Sequence, residues 1–216
     1  MAGLISPWTG RGLRCNMAKD SSFVIPLFPL NIVLLPGERI QLHIFEDRYK
    51  EMINSSIDND TPFGIILRTK SFNPSVGCTA KVLRVENEYY TGELDIVIEG
   101  IDRFNVLERY KLDDLWHGDI TLIGSDPLSP NEDHSILTSV QEKYIQVLML
   151  SGDDDFSDDL DRKMSYEFSS KILLPLSIKQ VLIETDDETR RLEILDNLFE
   201  KVIDKLGHDE IPQVKD

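Results

Sequence analysis

The feature that most limits the fold is a charge-free run at residues 21–37, SSFVIPLFPLNIVLLPG, broken by Pro26, Pro29, Asn31 and Pro36. It is short for a bilayer span, and each proline removes a helix hydrogen bond, so neither a membrane helix nor a soluble helix fits. Buried, repeatedly turned strand fits: Phe23 to Ile25, then Asn31 to Leu35, with Pro36-Gly37 as the turn. Beyond it Ile40, Leu42 and Ile44 alternate with Arg39, Gln41 and His43, the period of a half-buried strand. A helix is expected next, with Glu46 in its first turn and Tyr49, Met52 and Ile53 at helical spacing.

The same signals recur down the chain. Strands are expected over Phe63 to Leu67, Cys78 to Val85, Leu94 to Leu107 with a bulge or bend at Gly100, and Leu115 to Ile123. Helices follow. Ser129 and Glu132 form a capping box with Pro130 at the first helical position, and Ile136, Leu137, Val140, Tyr144, Val147 and Leu148 make a stripe that Gly152 stops. A further helix is expected over roughly 159 to 173, presenting Leu160, Met164, Phe168, Ile172 and Leu173. A short one spans Leu176 to Ile183. A last one is capped by Thr185 and Glu188, carries Leu192, Leu195, Leu198, Phe199, Val202, Ile203 and Leu206, and stops at Gly207. Strands first and helices after is the ordering of an α+β chain. The expected divisions are a disordered leader at 1–20, a β-domain with one helix at 21–125, a helical bundle at 126–208 and a tail at 209–216. The leader holds Arg11, Arg14 and Lys19 with no acid before Asp20; it reads as an organellar import signal or as sequence upstream of a true start at Met17.

Charge and cysteine usage exclude several functions. The chain of 216 residues carries a formal net charge of −16, and residues 125–216 hold 22 acids against 10 bases. Such a chain repels phosphate backbones, so no nucleic-acid partner and no membrane partner is expected. Cys15 and Cys78 form no CxxC and no His lies near them, which excludes a disulfide scaffold and a standard zinc site and suits a reducing, cytoplasmic setting. Cys78 reads as a small apolar strand residue. The aspartates between Asp153 and Asp161 lack the central glycine and closing glutamate of a calcium loop, so no metal and no cofactor is expected; Ser157 or Asp158 reads as a helix cap there.

Three ordered stretches resemble the amino-terminal, substrate-binding domain of Lon proteases. The first runs from Pro26-Leu-Phe-Pro-Leu30 through Val-Leu-Leu-Pro36-Gly37 to Leu42-His-Ile-Phe-Glu46-Asp-Arg48-Tyr49. The second is an apolar strand, Gly100, two residues, Arg103-Phe104 and another apolar strand. The third is Leu173 to Asp186 followed by Arg191-Leu192 and Leu195. The resemblance covers about Phe23 to Leu206 and implies a PUA-like β-barrel or β-sheet domain followed by a helical bundle. Arg103 reads as a ligand contact or, more simply, as a guanidinium tying a bulge to carbonyls or to Glu99 or Asp102.

Lon proteases also carry an ATPase module and a Ser-Lys proteolytic module, and neither has a counterpart among these residues. No glycine precedes Lys-Ser or Lys-Thr, no G-x-S-x-G or H-E-x-x-H occurs, and His43, His117, His134 and His208 are scattered, so no catalytic residue is expected. The resemblance implies a non-catalytic module that binds unfolded or degron-bearing polypeptide, with Pro29, Leu30, Phe45, Tyr49 and Phe63, or an open strand edge, as the expected contact surface. The alternative is a subunit or peptidase-type component of an ATP-dependent proteolytic system, with a separate ATP-dependent protease as partner.

Overall fold

The computed structural model describes residues 22–69, 74–124, 135–152, 162–169 and 172–209. The chain divides into two compact units, Met1–Gly124 and Ser125–Asp216. In the first, the elements run β1 (Phe23–Leu30), β2 (Arg39–Ile44), α1 (Asp47–Asn59), β3 (Phe63–Leu67), β4 (Val76–Glu88), β5 (Leu94–Leu112) and β6 (Leu115–Ile123). The strand order is β2-β5-β4-β3-β1-β6, and β6 also pairs with β5, so five of the strands close a circuit and β2 is attached outside it. The length of β5 makes closure possible: its first half pairs with β2 and β4, and residues 103–112 pair with β6. Among the described strands only β1 and β3 pair in parallel.

The opening run is rearranged relative to expectation. β1 passes straight through Pro26 and Pro29, whereas Asn31 to Leu35 is not a strand. The reason is a change of partner at Leu27: β6 pairs with residues 23–27 and β3 with 27–30, leaving part of each edge unpaired. A prolyl nitrogen facing an unpaired edge loses no ladder bond. Val33, Leu34 and Leu35 are buried all the same, folded over the sheet in the turn that Gly37 completes at φ +78°.

That turn is fastened to β5 by two backbone bonds, Gly37 N–H to Gly100 O at 2.9 Å and Gly100 N–H to Glu38 O at 2.9 Å. The approach leaves no room for a side chain, since a Cβ on Gly100 would sit 2.3 Å from the Leu35 carbonyl oxygen. Just beyond, Cys78 faces Arg103 and Ala80 faces Gly100, so β5 carries one extra residue. The Thr79 hydroxyl fills that bulge, accepting from Asp102 N–H at 3.0 Å and donating to Asp102 O at 3.2 Å. Arg103 is buried and donates to Gly124 O at 3.4 Å, while Glu99 is held by Arg39 and Lys81 at 2.9 and 3.2 Å. Inside the circuit Ile25, Leu27, Phe104 and Ile120 form the core, with Trp116 packed against it. Cys78 is buried in β4, and burial pushes its thiol well above the usual range.

Glu46 takes the N-cap position of α1 rather than its first turn and makes no side-chain cap bond. Its carboxylate accepts from Arg48 at 2.5 Å.

Among its described residues the second unit contains α2 (Ser135–Leu150), a 3-10 turn (Ser165–Ser169), α3 (Leu176–Glu184) and α4 (Glu188–Asp209). Tyr144 of α2 meets Phe168 and Phe199 at ring distances of 5.2 and 5.8 Å. Lys143 and Ser139 of α2 reach Asp196 of α4 at 2.9 and 2.7 Å. Three expectations fail. The helix expected to reach residue 173 is only the 3-10 turn over its described part, because the Glu167 carboxylate takes the amides of Lys163 and Met164 and Glu188 takes that of Ser165. Phe168 is buried, but Leu173 is 95% exposed. Thr185 and Glu188 do not form a capping box: Thr185 ends α3 by donating to Val181 O, and Asp187 caps α4 by accepting from Arg190 N–H at 2.6 Å. Nor does Gly207 stop α4, which runs on to Asp209. The expected Ser129–Glu132 cap and the acidic stretch 153–161 lie outside the described residues.

Candidate functional site

A groove of about 510 Å³ opens on the first unit. Strand pairing builds its floor. Leu27 of β1 lies opposite Trp116 of β6, which lies opposite Lys111 of β5, and Pro29 lies opposite Ile66 of β3. Because side chains alternate along a strand, Leu27 and Pro29 share one face of β1, as Arg109 and Lys111 share one face of β5. The chain leaving β3 adds Leu67, Arg68 and Thr69, and α1 adds Arg48 and Tyr49.

The rim is basic. Arg48 bonds Glu46, reaches the Asp114 carboxylate at 3.2 Å and lies 4.7 Å over the Tyr49 ring. Its Nε is buried and has no hydrogen-bond partner. Lys111 pairs with Asp114 at 3.0 Å, which holds that carboxyl below the usual range, and its ammonium stands 5.4 Å from the Trp116 ring. Arg109 is half-buried and donates to the Pro74 carbonyl, and burial pulls its guanidinium below its ordinary value. Arg68 is exposed, with no side-chain hydrogen bond or ion pair among the described residues.

The structure separates the five expected contact residues. Pro29 and Tyr49 line the groove. Tyr49 is 8% exposed, its ring tilted against that of Phe28 at 4.1 Å, and burial raises its hydroxyl above the usual range. Leu30 is half-buried beside the groove without lining it. Phe63 is fully buried and is a core side chain. Phe45 is 61% exposed but belongs to another cluster, 6.1 Å from His43, whose ring lies 6.0 Å from Tyr89. Sequence reading missed Arg68, Arg109, Lys111 and Trp116. A signal was there: Arg109 and Lys111 are two apart on a strand, and Trp116 follows a turn at Asp113-Asp114 that folds β6 back onto them.

The Phe45 cluster centres on Asp95, which accepts from His43 at 2.7 Å, Tyr89 at 2.7 Å and Asn87 at 3.0 Å. These bonds, that from His43 first, push its carboxyl down to about 2. A depressed carboxyl stabilises the folded state above the unfolded value of ~3.9 and loses that contribution as pH falls through the folded one. An NMR titration of the Asp95 carboxyl is expected to show its midpoint near 2, moving upward in His43→Ala; a midpoint at the ordinary value in the unsubstituted protein refutes the bonding scheme. Among the described residues no group of three or more His, Cys, Asp or Glu is placed to hold a metal ion, and no helix is long and apolar enough to cross a membrane.

Comparison with known proteins bears on what this surface meets. The family model of the ATP-dependent protease La (LON) substrate-binding domain matches residues 24–201. The Lon protease of Cytophaga hutchinsonii is 27% identical over 201 residues, covering 85% of this chain and 25% of its own length. Cereblon of Gallus gallus is 26% identical over 132 residues, 58% of this chain and 30% of that protein. The chain thus spans under a third of either relative. Among solved structures, a Lon N-terminal domain protein from Xanthomonas campestris superposes with a TM-score of 0.60 at 25% identity, covering 80% of this chain and 96% of that one. The N-terminal domain of Mycobacterium avium complex Lon protease gives 0.64 at 18% identity, covering 82% and 98%, which speaks to the fold alone.

Proposed function

The chain belongs to the Lon substrate-binding domain family, and from that premise we propose that it binds unfolded or degron-bearing polypeptide in the groove without cutting it. The observation that carries this reading is the apolar floor in which the half-buried Pro29, Leu67 and Trp116 are accessible and the buried Leu27 and Ile66 lie beneath them, with Tyr49 as an aromatic wall. A floor of that composition suits the apolar side chains that only an unfolded client exposes, and its concave shape suits an extended segment. The closed β circuit is read as PUA-like, and the buried Cys78 thiol as suited to a cytoplasmic setting. A separate ATP-dependent protease is the partner class that would consume clients held in this way.

Trp116 supplies the readout. In a Trp8→Phe background its fluorescence should change saturably on titration with reduced, carboxymethylated casein and stay flat with a natively folded protein. Tyr49→Ala is a poor probe because Tyr49 packs on Phe28. Leu67→Asn, at the partly exposed end of β3, should weaken binding about tenfold with unchanged thermal stability. Incubation of the casein with the protein, with or without ATP, should leave it intact. Absence of saturable binding, indifference to Leu67→Asn, or cleavage would each overturn the proposal.

A further inference from the structure

Building on the groove as the polypeptide site, we propose that it selects segments that carry carboxylates beside an apolar side chain. The chain has a net charge of −16, yet this groove gathers Arg48, Arg68, Arg109 and Lys111. The acids that answer them are Glu46 and Asp114, and both are spent on Arg48 and Lys111. Arg109 and Arg68 are left without a carboxylate among the described residues. Arg109 is half-buried, and its bond to the Pro74 carbonyl supplies an acceptor but no opposite charge. A guanidinium drawn out of water in this way is stabilised by an arriving anion more than a fully solvated one would be. Guanidinium also matches a carboxylate in a two-pronged geometry. The aliphatic floor between the cations demands an apolar neighbour to that carboxylate, which a free inorganic anion lacks. A nucleic acid would present anions without aliphatic side chains and would be repelled by the chain's overall charge.

The test uses the full chain and fluorescein-labelled peptides, read by polarisation. The first peptide has two leucines flanked by pairs of glutamates and an amidated end; the second has glutamines in place of the glutamates; the third is the second with a free terminal carboxylate. The glutamate peptide should bind about tenfold tighter than its amidated glutamine counterpart, and the advantage should fade at high salt. Arg68→Glu should abolish the preference, and Arg109→Gln should reduce it. Arg68 is exposed, so its substitution should leave the circular dichroism unchanged. If the third peptide gains as much as the first, the carboxylate can come from a chain end, which supports the same chemistry. Equal binding of the first two peptides, a preference that survives Arg68→Glu, tighter binding of a labelled oligouridylate, or no peptide binding at all overturns the proposal. Casein binding without the glutamate preference would sink this inference and leave the polypeptide-binding reading standing; failure to bind casein or any of the peptides would sink both.

Discussion

Gly100→Ala is expected to cost the first unit about 4 kcal/mol, counting ~2 for overpacking and ~1 for each of two strained backbone bonds. The cause is local. The new methyl would lie 2.3 Å from the Leu35 carbonyl oxygen, and backbone cannot swing aside as a side-chain tip can. Relief requires lifting the 33–38 turn off β5, which stretches the bonds between Gly37, Glu38 and Gly100. Gly37→Ala is the control: nothing lies within 4 Å of its added methyl, so only the left-handed backbone penalty of about 1 kcal/mol applies. Urea unfolding followed by Trp116 fluorescence in a Trp8→Phe background measures both. If the two substitutions shift the midpoint equally, the close approach at Gly100 does not hold the turn in place.

That contrast shows why parts of this fold could be read from the sequence and parts could not. The alternation of Ile40, Leu42 and Ile44 forces β2, because one face must be buried and the other wet. The positive φ at Gly37 was announced by Pro36-Gly37, a pair with a turn mechanism of its own. The start of β1 at Phe23 to Ile25 was legible, but its course through Pro26 and Pro29 was hidden, because a proline's cost depends on which edge of the strand is paired, and that is decided by β3 and β6 far along the chain. The last helices misled in a similar way. Thr185 and Glu188 have the right spacing for a capping box, but Asp187 is nearer the helix start, and Glu188 has a stronger claim on it from Ser165 and Arg191.

The groove was the least legible part. Its apolar share was half visible, since Pro29 and Tyr49 stand in the opening run. Its basic share was not, because Arg48 sits on α1, Arg68 just past the end of β3, and Arg109 and Lys111 on β5, and only the closed circuit brings them together. A whole-chain charge of −16 describes the average surface and conceals a local excess of the opposite sign. Phe63 failed as a contact for the reason that makes it a good strand residue: all of its surface is used by the core.

The second large effect is expected at Glu188, in the helical unit. Arg191 is fully buried; it donates to Glu188 at 2.5 Å, to Ser165 Oγ at 3.0 Å and to the carbonyls of Thr185 and Asp186 at 2.6 and 2.9 Å, and it lies 4.8 Å over the Tyr166 ring. Glu188 also accepts from Ser165 N–H at 2.6 Å, so this one carboxylate fixes both the 3-10 turn and the start of α4. Glu188→Ala would leave the guanidinium buried without its counter-charge, a loss of about 3–5 kcal/mol. Removing both charges is a different case, because well-packed apolar side chains need no compensation. Glu188→Leu combined with Arg191→Met should therefore cost less than Glu188→Ala alone, even though it also breaks the bonds to Thr185 and Asp186. Helix content by circular dichroism during thermal unfolding separates the cases. A double variant as unstable as the single one would mean that hydrogen bonding by Arg191, rather than charge compensation by Glu188, holds this corner together.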